Sequence, residues 1–149
     1  RQLSITVISV NDAPHFVLQP FIEIVESSGV NLQAGFASSI SPGAANEAAV
    51  QQISFTIDYV SAPDLFARAP SISPDGTLTL VPRKAASGYA VVDVRLIDNG
   101  DHGGQLGHRC TSATHAFTVN VKAVNDVPGF AIPWKVTCDT TAYLQEGGL

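Results

Sequence analysis

With 149 residues, 45% of them hydrophobic and 14% charged, the chain has enough apolar material for a packed core and too little charge to stay unfolded. A formal net charge of -5 opposes phosphate backbones, which excludes nucleic acid as a partner class and suits divalent cations better. No apolar run approaches the roughly 20 residues that a spanning helix needs, so no membrane insertion by this segment is expected.

Residues 3–10 alternate Leu3, Ile5 and Val7 against Ser4 and Thr6, which predicts a strand with one apolar face. Asn11-Asp12-Ala13-Pro14 then reads as a turn, because Asn and Asp side chains bond their own backbone and proline stiffens the chain. Residues 43–50 read as a loop between two strands, with a helical turn as the alternative. The period of two returns in Ile53, Phe55, Ile57 and Tyr59, then in Leu78 and Leu80. It recurs in Ala90, Val92, Val94 and Leu96, and again in Phe117, Val119 and Val121. Turn chemistry separates these runs at Ser41-Pro42-Gly43, Ser73-Pro74-Asp75-Gly76 and Asp98-Asn99-Gly100. Short alternating strands with frequent turns predict an all-β sandwich.

The most informative feature is internal repetition. The stretch Ile5-Thr6-Val7 leading to Val10-Asn11-Asp12-Ala13-Pro14 returns as Phe117-Thr118-Val119 leading to Val124-Asn125-Asp126-Val127-Pro128. Asn11 and Asn125 lie 125 − 11 = 114 residues apart, close to the ~100 residues of one sandwich domain. Residues 1–10 are therefore expected to be the last strand of a preceding repeat. Residues 11–124 form one complete repeat on this reading, and residues 125–149 begin the next. The absence of Met and a first residue, Arg1, within strand-like sequence fit a piece of a longer polypeptide.

The paired V-N-D-x-P motifs, Ser73-Pro74-Asp75-Gly76-Thr77-Leu78 and Val94-Arg95-Leu96-Ile97-Asp98-Asn99-Gly100 together resemble the cadherin-like and Ig-like tandem repeats of large extracellular surface proteins. The resemblance implies an antiparallel β-sandwich of about seven strands, repeated end to end, often with calcium at the joints. Carried over residue by residue, it implies calcium ligands at Asn11, Asp12, Asn125 and Asp126 in the linkers, at Glu26 and at Asp98. Asp98 would share one end of the domain with the first linker, and Glu26 would lie at the other end near the second. Several acidic positions of the family pattern are replaced here, by Ser9, by Ala123, by residues 83–86 and by residues 38–42. A calcium shell of six to eight oxygens is correspondingly short of donors.

The stretch 98–115 reads as a long loop carrying His102, His108, Cys110 and His115, a candidate lateral contact surface. Its spacing matches no usual zinc pattern. Cys110 and Cys138 belong to opposite ends of the repeat in this scheme, which is too far apart for a disulfide. No nucleophile, metalloprotease or phosphate-loop motif occurs, so no enzymatic activity is expected. The sequence thus points to an extracellular or cell-surface structural repeat, partnered by neighbouring repeats and by other copies or proteins of a filament or matrix. The alternative is an adhesion module for a cell-surface or glycan partner.

Overall fold

The structure, a computed structural model, describes residues 2–5, 10–100, 109–125 and 128–129. In chain order the elements are β1 (His15–Leu18), β2 (Phe21–Val25), β3 (Asn31–Gln33), β4 (Ala37–Ser41), α1 (Ala45–Ala48) and β5 (Ile53–Val60). A 3-10 turn (Pro63–Leu65), β6 (Phe66–Ile72), β7 (Leu78–Pro82), β8 (Gly88–Asp98) and β9 (His115–Lys122) complete the set. The strands form a four-stranded sheet in the order β2-β9-β8-β5, a three-stranded sheet β3-β7-β6 and a pair β1-β4. No helix among the described residues is long and apolar enough to cross a membrane. The fold is all-β.

Two details differ from the expected antiparallel arrangement of about seven strands. Nine strands occur among the described residues, and β2 runs parallel to β9. The parallel pairing, with one of the additional strands, follows from a break at Gln19-Pro20. Before it, β1 pairs with β4, and Gln19 N–H donates to the Phe36 carbonyl at 3.0 Å. After it, β2 joins the other sheet, and the Pro20 carbonyl accepts from Thr118 N–H at 2.9 Å. Proline has no N–H to continue the first ladder, so the chain changes partners there.

Alternation is cleanest in the centre of the four-stranded sheet. Ala90, Val92, Val94 and Leu96 of β8 are buried, as are Phe117, Val119 and Val121 of β9. They join Phe66, Ile72, Leu78 and Leu80 of the three-stranded sheet, with Phe16, Phe36 and Ala37, in one apolar cluster. Phe36 meets Phe117 edge-on with ring centroids 4.8 Å apart, and Phe16 meets Phe55 at 5.1 Å. Each such pair adds about 1 kcal/mol to the area it buries.

Strand β5 keeps its predicted period only in part. A register shift between Ile57 and Tyr59 leaves Tyr59 more than half exposed, while Ile53, Phe55 and Ile57 pack partly against the core. A bulge inserts a residue and re-aims the next side chain, which takes Tyr59 off the core face. Residues 2–5, expected within a strand, have no regular secondary structure. Residues 6–9 lie outside the described residues. The stretch 43–50, read as a loop, contains the single helical turn α1, and the reason is Glu47. Its side chain accepts the Ala44 N–H at 3.1 Å, the backward reach of a glutamate at the third helical position.

Candidate functional site

The geometry of interest lies where the two copies of the repeated Val-Asn-Asp motif meet the sheets. Asn11 is 5% exposed. Its Nδ2 donates to Asp98 Oδ1 at 3.1 Å and to the Arg109 carbonyl at 2.8 Å, and its Oδ1 accepts from Gln51 Nε2 at 2.6 Å. Its own carbonyl accepts from Arg109 N–H at 3.0 Å. Asp98 is 4% exposed and ends β8, where Oδ1 also accepts from Gly100 N–H at 2.7 Å. The next linker residue is held separately, since Asp12 N–H donates to Glu47 Oε1 at 3.0 Å. The buried Glu47 thus spends one oxygen on the linker and the other on α1. Both glycines near this cluster are there for space. A Cβ at Gly100 would lie 2.0 Å from Asn11 Oδ1, and one at Gly43 would lie 2.0 Å from Glu47 Oε2.

The other motif copy begins at the opposite pole. Glu26 follows β2 directly and is buried; its N–H donates to the Lys122 carbonyl at 2.9 Å, and its Oε1 accepts from Val124 N–H at 2.7 Å. Here the carboxylate does for Val124 what Glu47 does for Asp12. Asn125, by contrast, is exposed, and Asp126 lies outside the described residues. The two poles are separated by β8, whose first residue Gly88 pairs with Val121 and whose last is Asp98. Eleven residues at the usual strand rise span roughly 35 Å.

Of the residues that sequence reasoning singled out, the structure joins Asn11 to Asp98 and places Glu26 against the second linker. Asp12 presents its backbone, not its carboxylate, to the domain. Glu47, Gln51 and the Arg109 carbonyl were not foreseen. A glutamate three residues after Ala44 was the available signal for Glu47, masked by Ala44 being no cap residue. Gln51 carried none. His102, His108 and Cys138 lie outside the described residues. Cys110 is a half-buried free thiol whose Sγ lies 3.7 Å from Thr111 Oγ1. His115, expected in the loop, is corrected to the first residue of β9, where its ring packs against Phe16 with centroids 4.6 Å apart. Alternation from His115 through Phe117 extends the strand one step further than the apolar residues alone suggest.

The donor set can be tested against calcium, which takes six to eight oxygens. Among the described residues, two buried oxygens lack a hydrogen-bond donor, Asp98 Oδ2 and Gln51 Oε1. Glu47 has both oxygens on backbone N–H groups, and Glu26 has one so committed. No group of three or more His, Cys, Asp or Glu side chains is arranged to hold a metal among the described residues. Taken alone, the described residues at either pole supply fewer free oxygens than a calcium shell takes.

A second surface lies on the outer face of the four-stranded sheet. Register places Phe21 beside Thr118 and Thr118 beside Val91, with Tyr89 beside Asn120 and Tyr59 beside Asp93. Phe21, Tyr59, Tyr89 and Val91 are all exposed there. Two ion pairs border them, Glu23 with Lys122 and Asp58 with Arg95, the latter bidentate at 2.5 and 2.8 Å. Hydrogen bonding to these cations holds the Glu23 and Asp58 carboxyls below their ordinary range. No protein-family model, curated protein or solved structure matches the chain.

Proposed function

We propose that the chain is a structural repeat of a large extracellular surface or filament protein, a rigid Ig-like sandwich stacked end to end with copies of itself. The observation that carries this reading is the placement of the linkers. The polypeptide enters at one pole beside Asp98 and leaves at the other beside Glu26, with the length of β8 between them. Each linker is tied to its pole by buried polar groups, so consecutive repeats would extend in line. The reading is mechanical: the core and both linker grips serve orientation, and no step of chemistry is required of them. Neighbouring repeats are the first partners, with other copies or other matrix proteins alongside.

Small-angle scattering tests this on the chain with residues 11–124 present twice in tandem. A spacer gives a maximum dimension near twice that of the single-repeat chain, whereas two repeats folded side by side keep it nearly unchanged and defeat the reading. Calcium at the joints would have to draw on Asp98 Oδ2, Gln51 Oε1 and further oxygens from an adjoining repeat. Thermal unfolding of the same chain in calcium and then in chelator reports it, because a ligand specific for the native state must raise Tm with its concentration.

The exposed aromatic face favours one other reading, an adhesion module. Exposed rings on a sheet face, interleaved with Thr118, Asn120 and Asp93, suit a partner with both apolar and hydroxyl surface, such as a glycan. Selective binding on a glycan array, lost in Tyr89→Ala with the fold intact, would support it over the spacer.

A further inference from the structure

Building on the tandem reading, we infer that every linker is gripped by two successive repeats on consecutive residues, leaving no free residue between domains and needing no metal. The asymmetry between the two linker copies carries this. Asn11 is 5% exposed and locked into its own repeat by Asp98, Gln51 and the Arg109 carbonyl. Its counterpart Asn125, 114 residues on (125 − 11), is exposed and lies beyond the repeat that precedes it. Val10 and Val124, the residues just before them, are likewise exposed at 42% and 47%. Residue 124 is already held by the upstream repeat, through its N–H and Glu26. If the downstream repeat carries the same pocket, Asn125 enters it as Asn11 does here. The two grips then fall on adjacent residues, Val124 and Asn125.

The chemistry of the pocket defines what it accepts. Asn11 offers both a donor and an acceptor, and the pocket answers with a carboxylate, a carbonyl and a side-chain amide. Aspartate would set a second carboxylate against Asp98, and a longer side chain would meet Gly100, whose missing Cβ makes the room. The partner is therefore a following repeat with an acidic residue closing the strand equivalent to β8, a small residue two positions later and an amide equivalent to Gln51. Carboxylates that calcium-bridged joints would use on an ion are here used on backbone N–H groups, by Glu26 on Val124 and by Glu47 on Asp12. A joint with consecutive residues fixed on both sides has two backbone dihedrals per residue to move and little freedom in either.

The test uses the chain in which residues 11–124 occur twice in tandem, so that Val124 of the first copy is followed by Asn11 of the second. In chelator, 15N relaxation should show both copies tumbling as one body, and the Val124 amide should exchange at least ten-fold more slowly than the same amide in a chain with Glu26→Ala in the first copy. That variant should also let the copies tumble independently while each keeps a dispersed spectrum. Independent tumbling of the unmodified tandem chain, or coupling that appears solely with added calcium, overturns the inference. Either result can coexist with an extended chain in scattering, so the latch can fail while the spacer reading stands. A side-by-side collapse would remove both.

Discussion

Gly100→Ala isolates the packing of the linker amide. The wild-type φ at Gly100 lies outside the left-handed region, so the methyl itself strains no backbone. Its cost is steric, because the new Cβ would lie 2.0 Å from Asn11 Oδ1 and 2.6 Å from Nδ2. Asn11 can yield only by giving up its bonds to Asp98, Arg109 and Gln51, which caps the penalty at the value of those bonds. Removing them outright by Asn11→Ala takes one hydrogen bond from a buried carboxylate and leaves the Arg109 carbonyl and Gln51 amide short of a partner. That loss is about 4 kcal/mol, from about 1.5–3 for the bond to a charge and about 1 for each of the two neutral ones. Overpacking by Gly100→Ala should cost about 2 kcal/mol. In the double variant the methyl fills space that Asn11 has vacated, so the total should stay at about 4 kcal/mol and not reach about 6, a coupling of about 2 kcal/mol. Urea unfolding reads this directly: with a slope of about 1.5 kcal/mol per molar, each kcal/mol moves the midpoint by about 0.7 M. Additivity of the two substitutions within about 0.5 kcal/mol would refute the placement of Asn11 against Gly100.

Phe36→Ala should destabilise by about 3–5 kcal/mol in the same assay, because Phe36 is fully buried against Phe117 and its removal leaves a cavity. Gly76→Ala should cost about 2–4 kcal/mol, combining a left-handed φ of +85° with a Cβ that would sit 2.1 Å from the Ala37 carbonyl oxygen; an effect below 0.5 kcal/mol would show that the turn relaxes. Stability should fall on acidification. The carboxyls of Glu23, Asp58 and Asp75 are held below their ordinary values by Lys122, by Arg95 and by Ser73 with Thr77, respectively. A depressed folded-state pKa contributes stability that is complete above the unfolded value, about 4, and disappears as pH drops through the folded value. Urea midpoints at pH 7 and pH 3 should therefore converge in Asp58→Asn relative to wild type, and an unchanged difference would assign the acid sensitivity elsewhere.

Much of the sheet structure was legible because it is written in period two. The buried sets of β7, β8 and β9 coincide with the apolar alternation at Leu78 and Leu80, at Ala90 to Leu96 and at Phe117 to Val121. What was illegible depended on single residues or on distant pairing. Nothing local announces the bulge that turns Tyr59 outward, since the apolar period continues through it. The parallel pairing of β2 with β9 joins segments almost a hundred residues apart, and the proline that permits it reads equally well as an ordinary turn. The turn Ser73–Thr77 shows the other extreme. Asp75 accepts from both Thr77 N–H and Thr77 Oγ1 at 3.1 Å and from Ser73 Oγ, all within five residues, so its sequence states its structure.

The poles follow a different rule from the core, and this explains why the Asn-Asp motif was visible while Glu47 and Gln51, which receive it, were not. A turn such as Asn11-Asp12 contributes backbone N–H and C=O groups that no ladder satisfies, and burying them unpaired costs more than the bonds to neighbours return. The domain answers with long side chains from remote segments: Glu47 from α1 for the Asp12 N–H and Glu26 after β2 for the Val124 N–H, while Gln51 beside α1 donates to the Asn11 side chain. Such receptors need reach and an oxygen or amide, not a position in a periodic pattern, so they leave no trace in the alternation that reveals strands. Asp98 is the exception because it continues the β8 alternation into the pole, occupying an inward position where Ala90, Val92, Val94 and Leu96 are apolar. A carboxylate at the end of a buried apolar row is costly unless something arrives to bond it, and what arrives is the linker asparagine.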